Sequence, residues 1–364
     1  MPGTPYFTAL IDTYNRERFI AEAIDSVLQQ DFPPSEMEIL VVDDGSTDGT
    51  AEVVRRFGER VRYIPKTNAG QASALNLGFE ESRGEIIALL DGDDLWLPRK
   101  LRRMAQEFAK HPEVGLVYHP CNYFSANEGT WSEETSFVAL SGFLPEMENA
   151  MIRFAGMTTS AIALRRSLAR ELMPIPERIR LFADSYLISA AIFAAPAAGV
   201  EEPLTCYRLH GGNLTSFSEH DPARTRQSEA CFRAAMEETR SWLERHGFDP
   251  RQGAADVLLR RMELELLKLG FTLKEPGRRE FFAYLLKRHR LFSPLWPPGY
   301  KVFHLLTASG GFLLGHEGFH RARKAYRDSS SLLRLREMLL PAKKNAARRA
   351  GRTETTETSP MANR

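Results

Sequence analysis

The sequence predicts an α/β fold, a mostly parallel sheet flanked by helices, with a C-terminal α-helical extension. Three observations carry this. Over the first 120 residues, short runs that are apolar at every position alternate with segments of helical periodicity. Strands that are apolar on both faces need cover on both faces, and the crossover helices of a parallel sheet supply it. Beyond about residue 222 the strand-like runs stop, and segments with mixed apolar and charged faces take over.

The elements follow in order. Tyr6–Ile11 (YFTALI) is a short β-rich run. Phe19–Gln30 spaces Phe19, Ile20, Ala23, Ile24, Val27 and Leu28 as one helical face. Ile39–Val42 is a strand, Thr50–Phe57 a helix and Val61–Ile64 a third strand. Gln71–Glu81 is a third helix, Ile86–Leu90 a fully apolar strand and Arg99–Lys110 a fourth helix. Val114–Tyr118 closes this series. The pattern weakens from about 125 to 150, and then Gly156–Leu164 reads as a strand returning to the sheet. Ala183–Ala194 is a helix and Pro203–Arg208 an edge strand. Thr225–His246, Ala254–Leu269 and Arg278–Arg290 are the helices of the extension. The expected division is an α/β domain at 1–221, a helical extension at 222–341 and a disordered basic tail at 342–364.

Composition excludes several functions. The 364 residues carry 48 Lys and Arg against 47 Asp and Glu, so bulk charge does not make a nucleic-acid binder. Three cysteines without a CxxC pair suit neither a disulfide framework nor a structural zinc site. The N-terminus has no basic region followed by an apolar one, so no secretory signal is visible and a cytoplasmic location is expected. The stretch 291–315 is the nearest to a membrane span, but prolines, Lys301 and a Gly pair interrupt it.

In a parallel sheet, ligands bind beyond the carboxyl ends of the strands. Those ends read Asp12-Thr13-Tyr14-Asn15, Asp43-Asp44-Gly45-Ser46, Asn68-Ala69-Gly70 and Asp91-Gly92-Asp93-Asp94. One such end could be helix capping, but several acidic and amide side chains converging on one sheet edge suit a ligand. Side-chain alternation puts Asp91 and Asp93 on one side of an extended segment. Hard oxygen ligands with open positions suit Mg²⁺ or Mn²⁺, with phosphate oxygens completing the shell. Neither GxxxxGK[ST] nor GxGxxG occurs, which disfavours a P-loop or dinucleotide fold. Tyr14 offers an aromatic face, and Asp43 an acceptor for a base N–H or ribose hydroxyl.

The segments DTYNRERFIAEAIDSVLQQ, EILVVDDGSTDGT, NAGQASALNLGFEESRGEIIALLDGDDLWLP, FADSYL and PLTCYRLHGGNLT resemble the family-two glycosyltransferases. The resemblance covers roughly Tyr6 to Ser216, with five motifs in the family's order and spacing. It implies the GT-A fold, with a Rossmann-like nucleotide half and an acceptor half. It also implies an inverting enzyme that moves a sugar from a nucleotide-diphosphate donor, UDP-linked by expectation. Residue by residue, Thr13 and Tyr14 resemble the nucleobase-holding positions, and Asp43 the base- or ribose-binding Asp. Asn68 and Gly70 match the N-x-G of the donor pocket. Asp91 resembles the first Asp of D-x-D, near the ribose, and Asp93 the metal-binding Asp. Asp94 is a third acid that binds metal or only shapes the turn. Asp184 matches the general base, and His210 a histidine near the metal and diphosphate.

Three positions depart from the family pattern. Asp12 stands where Pro is usual, Ala74 replaces a frequent Arg, and the E-D pair is Ala183-Asp184. The resemblance implies Mn²⁺ or Mg²⁺ as cofactor. It implies a saccharide, lipid-linked or protein acceptor and a role in surface polysaccharide or glycoconjugate synthesis. No nucleic acid is expected as a partner. The aromatic-rich stretch Phe281–Phe303 is expected to bury the helical region, with peripheral membrane contact at the inner face as its second reading. A sugar-phosphate nucleotidylyltransferase and a non-catalytic nucleotide-sugar-binding scaffold are the alternative functions. The remaining histidines have no paired ligand spacing and read as ordinary core or surface residues.

Overall fold

The structure, a computed structural model, describes residues 4–125, 130–133, 137–154, 157–211, 213 and 221–328. The chain forms two compact units, Met1–Lys274 and Glu275–Arg364. The first begins β1 (Phe7–Thr13), α1 (Ile20–Leu28), β2 (Met37–Asp43), α2 (Thr50–Arg55), β3 (Arg62–Pro65) and α3 (Gln71–Glu81). It continues β4 (Ile86–Asp91), β5 (Leu95–Trp96), α4 (Lys100–Lys110), β6 (Leu116–Tyr118), β7 (Cys121–Ser125), β8 (Thr130–Glu133) and β9 (Ser141–Gly142). It closes with α5 (Ala150–Arg153), β10 (Ile162–Arg165), α6 (Arg166–Leu172), α7 (Ala183–Ala194), β11 (Ala197–Gly199), β12 (Thr205–Leu209), α8 (Pro222–Arg245) and α9 (Gly253–Leu273). The second unit holds α10 (Arg278–Phe292) and α11 (Pro298–Asp328).

An eight-stranded sheet runs β3-β2-β1-β4-β10-β6-β11-β9, and a four-stranded sheet runs β5-β12-β7-β8. β3, β2, β1 and β4 are parallel, whereas β10 is antiparallel to both β4 and β6. The apolar runs divide by alternate residues between two cores. Leu10, Leu40, Val42, Ile87 and Leu89 pack on the side of α3 and α7. Ala9, Ile11, Val41, Ala88 and Leu90 pack on the side of α1 and α4. Two-sided burial is why these strands are continuously apolar.

The expected boundary after 221 falls inside the first unit. Phe232 and Trp242 of α8, with Leu258 and Met262 of α9, belong to the same core as Leu10 and Leu89. Pro203–Arg208 also differs from expectation: β12 is an interior strand, paired with β5 and with β7. Of the strand expected over Gly156–Leu164, Gly156 lies outside the described residues, and the strand begins only at Ile162 because Thr159–Ala161 forms a 3₁₀ turn. In the second unit, α11 runs through the Gly310–Gly311 pair that reads as a break, and kinks at Gly315. Pro298 at the first helical turn starts this helix rather than ending it. Gly311 lets α10 approach, since a Cβ there would lie 2.6 Å from Leu285 Cδ1. The tail expected at 342–364 lies outside the described residues.

Candidate active site

The chain leaves β1 toward β2 and β3 on one side and returns to β4 on the other. A crevice opens at such a switch point, beyond the strands' carboxyl ends. The register there pairs Asp12 with Asp91, and Thr13 with Asp43. The crevice is a cavity of about 320 Å³. Of the expected site residues, Thr13, Tyr14, Asn68, Gly70, Asp91, Asp93 and Asp184 line it. Asp12, at the position where the family pattern has Pro, lines it too.

Two expected residues stand behind the wall. Asp43 is buried, and its two oxygens accept hydrogen bonds from the Ser46 N–H (2.8 Å) and the Tyr63 hydroxyl (2.6 Å). His210 is enclosed, with Nε2 3.1 Å from Asp93 Oδ2 and its ring 4.4 Å from that of Phe19. It therefore reaches the cavity through Asp93. Asp94 shapes the turn: its oxygens accept from the Ser160 hydroxyl at 2.6 Å and the Arg208 N–H at 2.9 Å.

The loops are stapled to one another. Asp44 accepts the Ala69 and Gly70 N–H groups at 2.9 and 2.7 Å and the Lys66 ammonium at 2.7 Å. Asn15, in the left-handed region at φ 53°, accepts the Thr47 N–H at 2.8 Å. Gly70 has φ 94°, and a Cβ there would lie 2.7 Å from the Arg180 Cα. That contact brings the loop before α7 against the start of α3, and the Gln71 N–H donates to the Arg180 carbonyl at 2.9 Å. Asp184 sits in the first turn of α7, where helix N–H groups favour a carboxylate.

Electrostatically the cavity is crowded with carboxylates. Burial, reinforced by Asp93, pushes Asp12 up to about 7. Burial and then Asp12, Asp94, Asp93 and Asp184 hold Asp91 well above the usual carboxylate range. Asp184 is pushed up to about 6 by burial, against the pull of the Ser185 and Thr159 N–H groups. Burial also works to raise Asp93, but the His210 hydrogen bond and the Arg16 guanidinium outweigh it and keep its carboxyl below the usual range.

This donor set suits a hard dication. Asp12 Oδ1 is buried without a hydrogen-bond partner, and the like charges of Asp12 and Asp91 face each other across adjacent strands. Asp93 Oδ2 is engaged by Arg16 Nε at 2.7 Å and lies 3.1 Å from His210 Nε2, which fixes the carboxylate in the cavity wall. Among the described residues, no three His, Cys, Asp or Glu side chains are gathered to hold an ion by themselves. Oxygen ligands from a bound phosphate would have to complete the shell.

Several residues in the wall were not singled out from the sequence. Arg16, Gln71, Arg180 and Arg224 all line the cavity. Arg180 donates to Asn68 Oδ1 at 2.6 Å. Gln71 accepts the Ala183 N–H at 3.2 Å, and its amide nitrogen lies 3.5 Å from Asp91 Oδ1. Ala74, the position where an Arg is frequent, also lines the cavity. Arginines from other elements, Arg16, Arg180 and Arg224, line the same cavity. Arg16 was locatable from its place just after the first strand, whereas Arg180 and Arg224 have no sequence signal.

The description "Glycosyl transferase family 2" belongs to the family whose sequence model matches residues 8–173. A protein of Nostoc sp. strain PCC 7120, named an uncharacterized glycosyltransferase, is 32% identical over 320 residues, covering 84% of this chain and 96% of its own. The uncharacterized glycosyltransferase EpsJ of Bacillus subtilis strain 168 is 27% identical over 243 residues, 64% of this chain and 69% of its own. Among solved structures, residues 1–349 of S. aureus TarS in complex with UDP superpose with a TM-score of 0.57 at 17% identity, over 85% of this chain and 92% of that one. The mannosyltransferase PcManGT from Pyrobaculum calidifontis, in complex with GDP-Man and Mn²⁺, gives 0.51 at 22% identity, over 85% and 88%.

Proposed function

The chain belongs to glycosyl transferase family 2, and from that membership we propose that the cavity binds a nucleotide-diphosphate sugar and transfers the sugar, with inversion, to an acceptor hydroxyl. The observation that carries this is the placement of Asp91, Asp93 and Asp184 in one cavity at the β1/β4 switch point. UDP in the TarS structure supports a UDP-linked donor, and GDP-Man in PcManGT keeps a guanosine donor in the test.

In this reading Thr13 and Tyr14 hold the nucleobase, while Asn68 and Gly70 line the donor's path. Asp43 supports them from behind by fixing Ser46 and Tyr63. Asp93, with Asp91 beside it and His210 behind it, would hold Mn²⁺ or Mg²⁺. When bound, the ion supplies positive charge to the diphosphate. Arg180 and Arg224 add positive charge to the same wall. Asp184 accepts the proton of the acceptor hydroxyl as that oxygen bonds to the anomeric carbon. The bond from that carbon to the diphosphate oxygen breaks, and its electron pair leaves with the nucleoside diphosphate. A base pushed up to about 6 is ionised at neutral pH yet more basic than an ordinary carboxylate. The acceptor is a saccharide, lipid-linked or protein hydroxyl in surface polysaccharide or glycoconjugate synthesis. The expected setting is the cytoplasm, with contact at the inner membrane face through the C-terminal region.

The test is incubation with Mn²⁺ and a panel of nucleotide sugars, following free nucleoside diphosphate. Release from one donor is the expected result. Pyrophosphate formed from a sugar phosphate and a nucleoside triphosphate would instead make the protein a nucleotidylyltransferase.

A further inference from the structure

The charge of this chain is sharply divided. Residues 1–274 carry 40 acidic and 30 basic side chains, and residues 275–364 carry 7 acidic and 18 basic. Within the described part of the second unit, 275–328, the count is 4 acidic to 10 basic. The basic residues include Arg278, Arg279, Lys287, Arg288 and Arg290 on α10 and Lys301 near the start of α11.

The same unit bears an apolar outer face. Among the described residues, all the exposed large apolar side chains except Val138 and Leu209 lie on α11. Val302 is 58% exposed, Leu306 67% and Leu313 69%, with Leu305, Phe312 and Leu314 flanking them at 42, 41 and 52%. The spacing of 302, 306 and 313 makes one row along the helix. His304, Ala308 and Phe319 are buried instead, and Gly311 lies against Leu285 of α10. One side of α11 is thus spent on its hairpin partner, and the other is a broad apolar stripe.

No Asp, Glu, Lys or Arg occurs from 302 to 316. At about 1.5 Å per residue this uncharged stretch is roughly 22 Å long, short of the ~30 Å hydrocarbon core of a bilayer. Among the described residues, no helix is long and apolar enough to cross a membrane. Trp296 and Tyr300 pack edge to face where α11 begins, and Lys301 follows them. These rings pack toward the buried His304 at 4.4 and 6.3 Å, so they close the hairpin's end, and the outer apolar stripe begins just beyond Lys301.

We propose that the outer face of α11 docks on an anionic lipid bilayer, lying in the interface plane with the basic residues of the hairpin at the headgroups. The inference deepens the peripheral placement proposed above and does not depend on the donor chemistry. Charge selects this occupant over a symmetric pairing of two α11 faces. Two copies of this face would bring together two units of net positive charge, which repel, whereas an anionic surface attracts that net charge.

The test uses the full chain and vesicles of phosphatidylcholine with or without phosphatidylglycerol. Sedimentation with the anionic vesicles is expected, weaker at high salt, and about tenfold or more weaker for Leu306→Gln with Leu313→Gln. Both positions are exposed, so the pair should leave the fold and donor cleavage unchanged. A second measurement places a polarity-sensitive dye on Leu313→Cys, which is selective because Cys121, Cys206 and Cys231 are buried. The dye is expected to report water without vesicles and an apolar surrounding with them. Equal binding by the double variant, no binding to anionic vesicles, or a dye already shielded in vesicle-free solution would overturn the proposal. A shielded dye in a monomer would assign the face to the chain's own tail, and in a dimer to a second copy. Donor cleavage, read on the same samples without vesicles, keeps failure of the glycosyltransferase reading separate.

Discussion

At the scale of single residues, the site is a set of carboxylates tuned apart by what surrounds them. Asp93 is kept ionised by Arg16 and His210, while Asp184 is raised to about 6 by burial. A general base works only when ionised, and protonation removes it as pH falls through its pKa. Turnover is therefore expected to hold on the neutral side and to fall about tenfold per pH unit below about 6, measured as nucleoside diphosphate release against pH. Arg180 tests a residue that no motif marks. Its guanidinium joins Asn68 across the cavity wall, so Arg180→Ala should raise the donor KM about tenfold, with a smaller effect on kcat. The acids were legible in the sequence because each directly follows a strand or opens a helix. Arg180 was not, because its approach to Asn68 arises only when α7 folds against α3. Asp43 shows the converse: its motif was legible, but not that both its oxygens are satisfied inside the wall.

At the scale of elements, the parallel half was written plainly in the sequence. Gln71–Glu81 and Ala183–Ala194 begin and end where helical periodicity places them. The second sheet was less legible. β5 has two residues, too short for any periodicity, as has β9 at the edge of the large sheet, and β12 reads as an edge because its partners β5 and β7 are recognised only once folded. The Gly310–Gly311 pair in α11 shows that a glycine can serve close packing rather than end a helix. Gly70 is where conformation decides. At φ 94° and ψ 170°, with the Arg180 backbone 2.7 Å from any added Cβ, Gly70→Ala should cost about 1–3 kcal/mol or more and loosen the donor loop. Thermal melting against nucleotide affinity measures both consequences. Loss of affinity at unchanged stability would place the role of Gly70 in binding alone.

At the scale of the whole molecule, a formal charge of +1 conceals an acidic unit that contains the cavity and a basic unit that carries the apolar helix. The extent of the first unit was hidden in the sequence, since α8 and α9 look like a separate helical segment until Trp242 and Leu258 are seen in the sheet's core. The central claim concerns that unit: its crevice binds a nucleotide sugar, and Asp184 performs the transfer. The most direct measurement compares donor affinity and nucleoside diphosphate release in the wild type and Asp184→Asn. The account expects unchanged donor affinity and a loss of turnover of about 10²–10⁴-fold. Near-normal turnover by Asp184→Asn, or no nucleotide-sugar binding by the wild type, would contradict it.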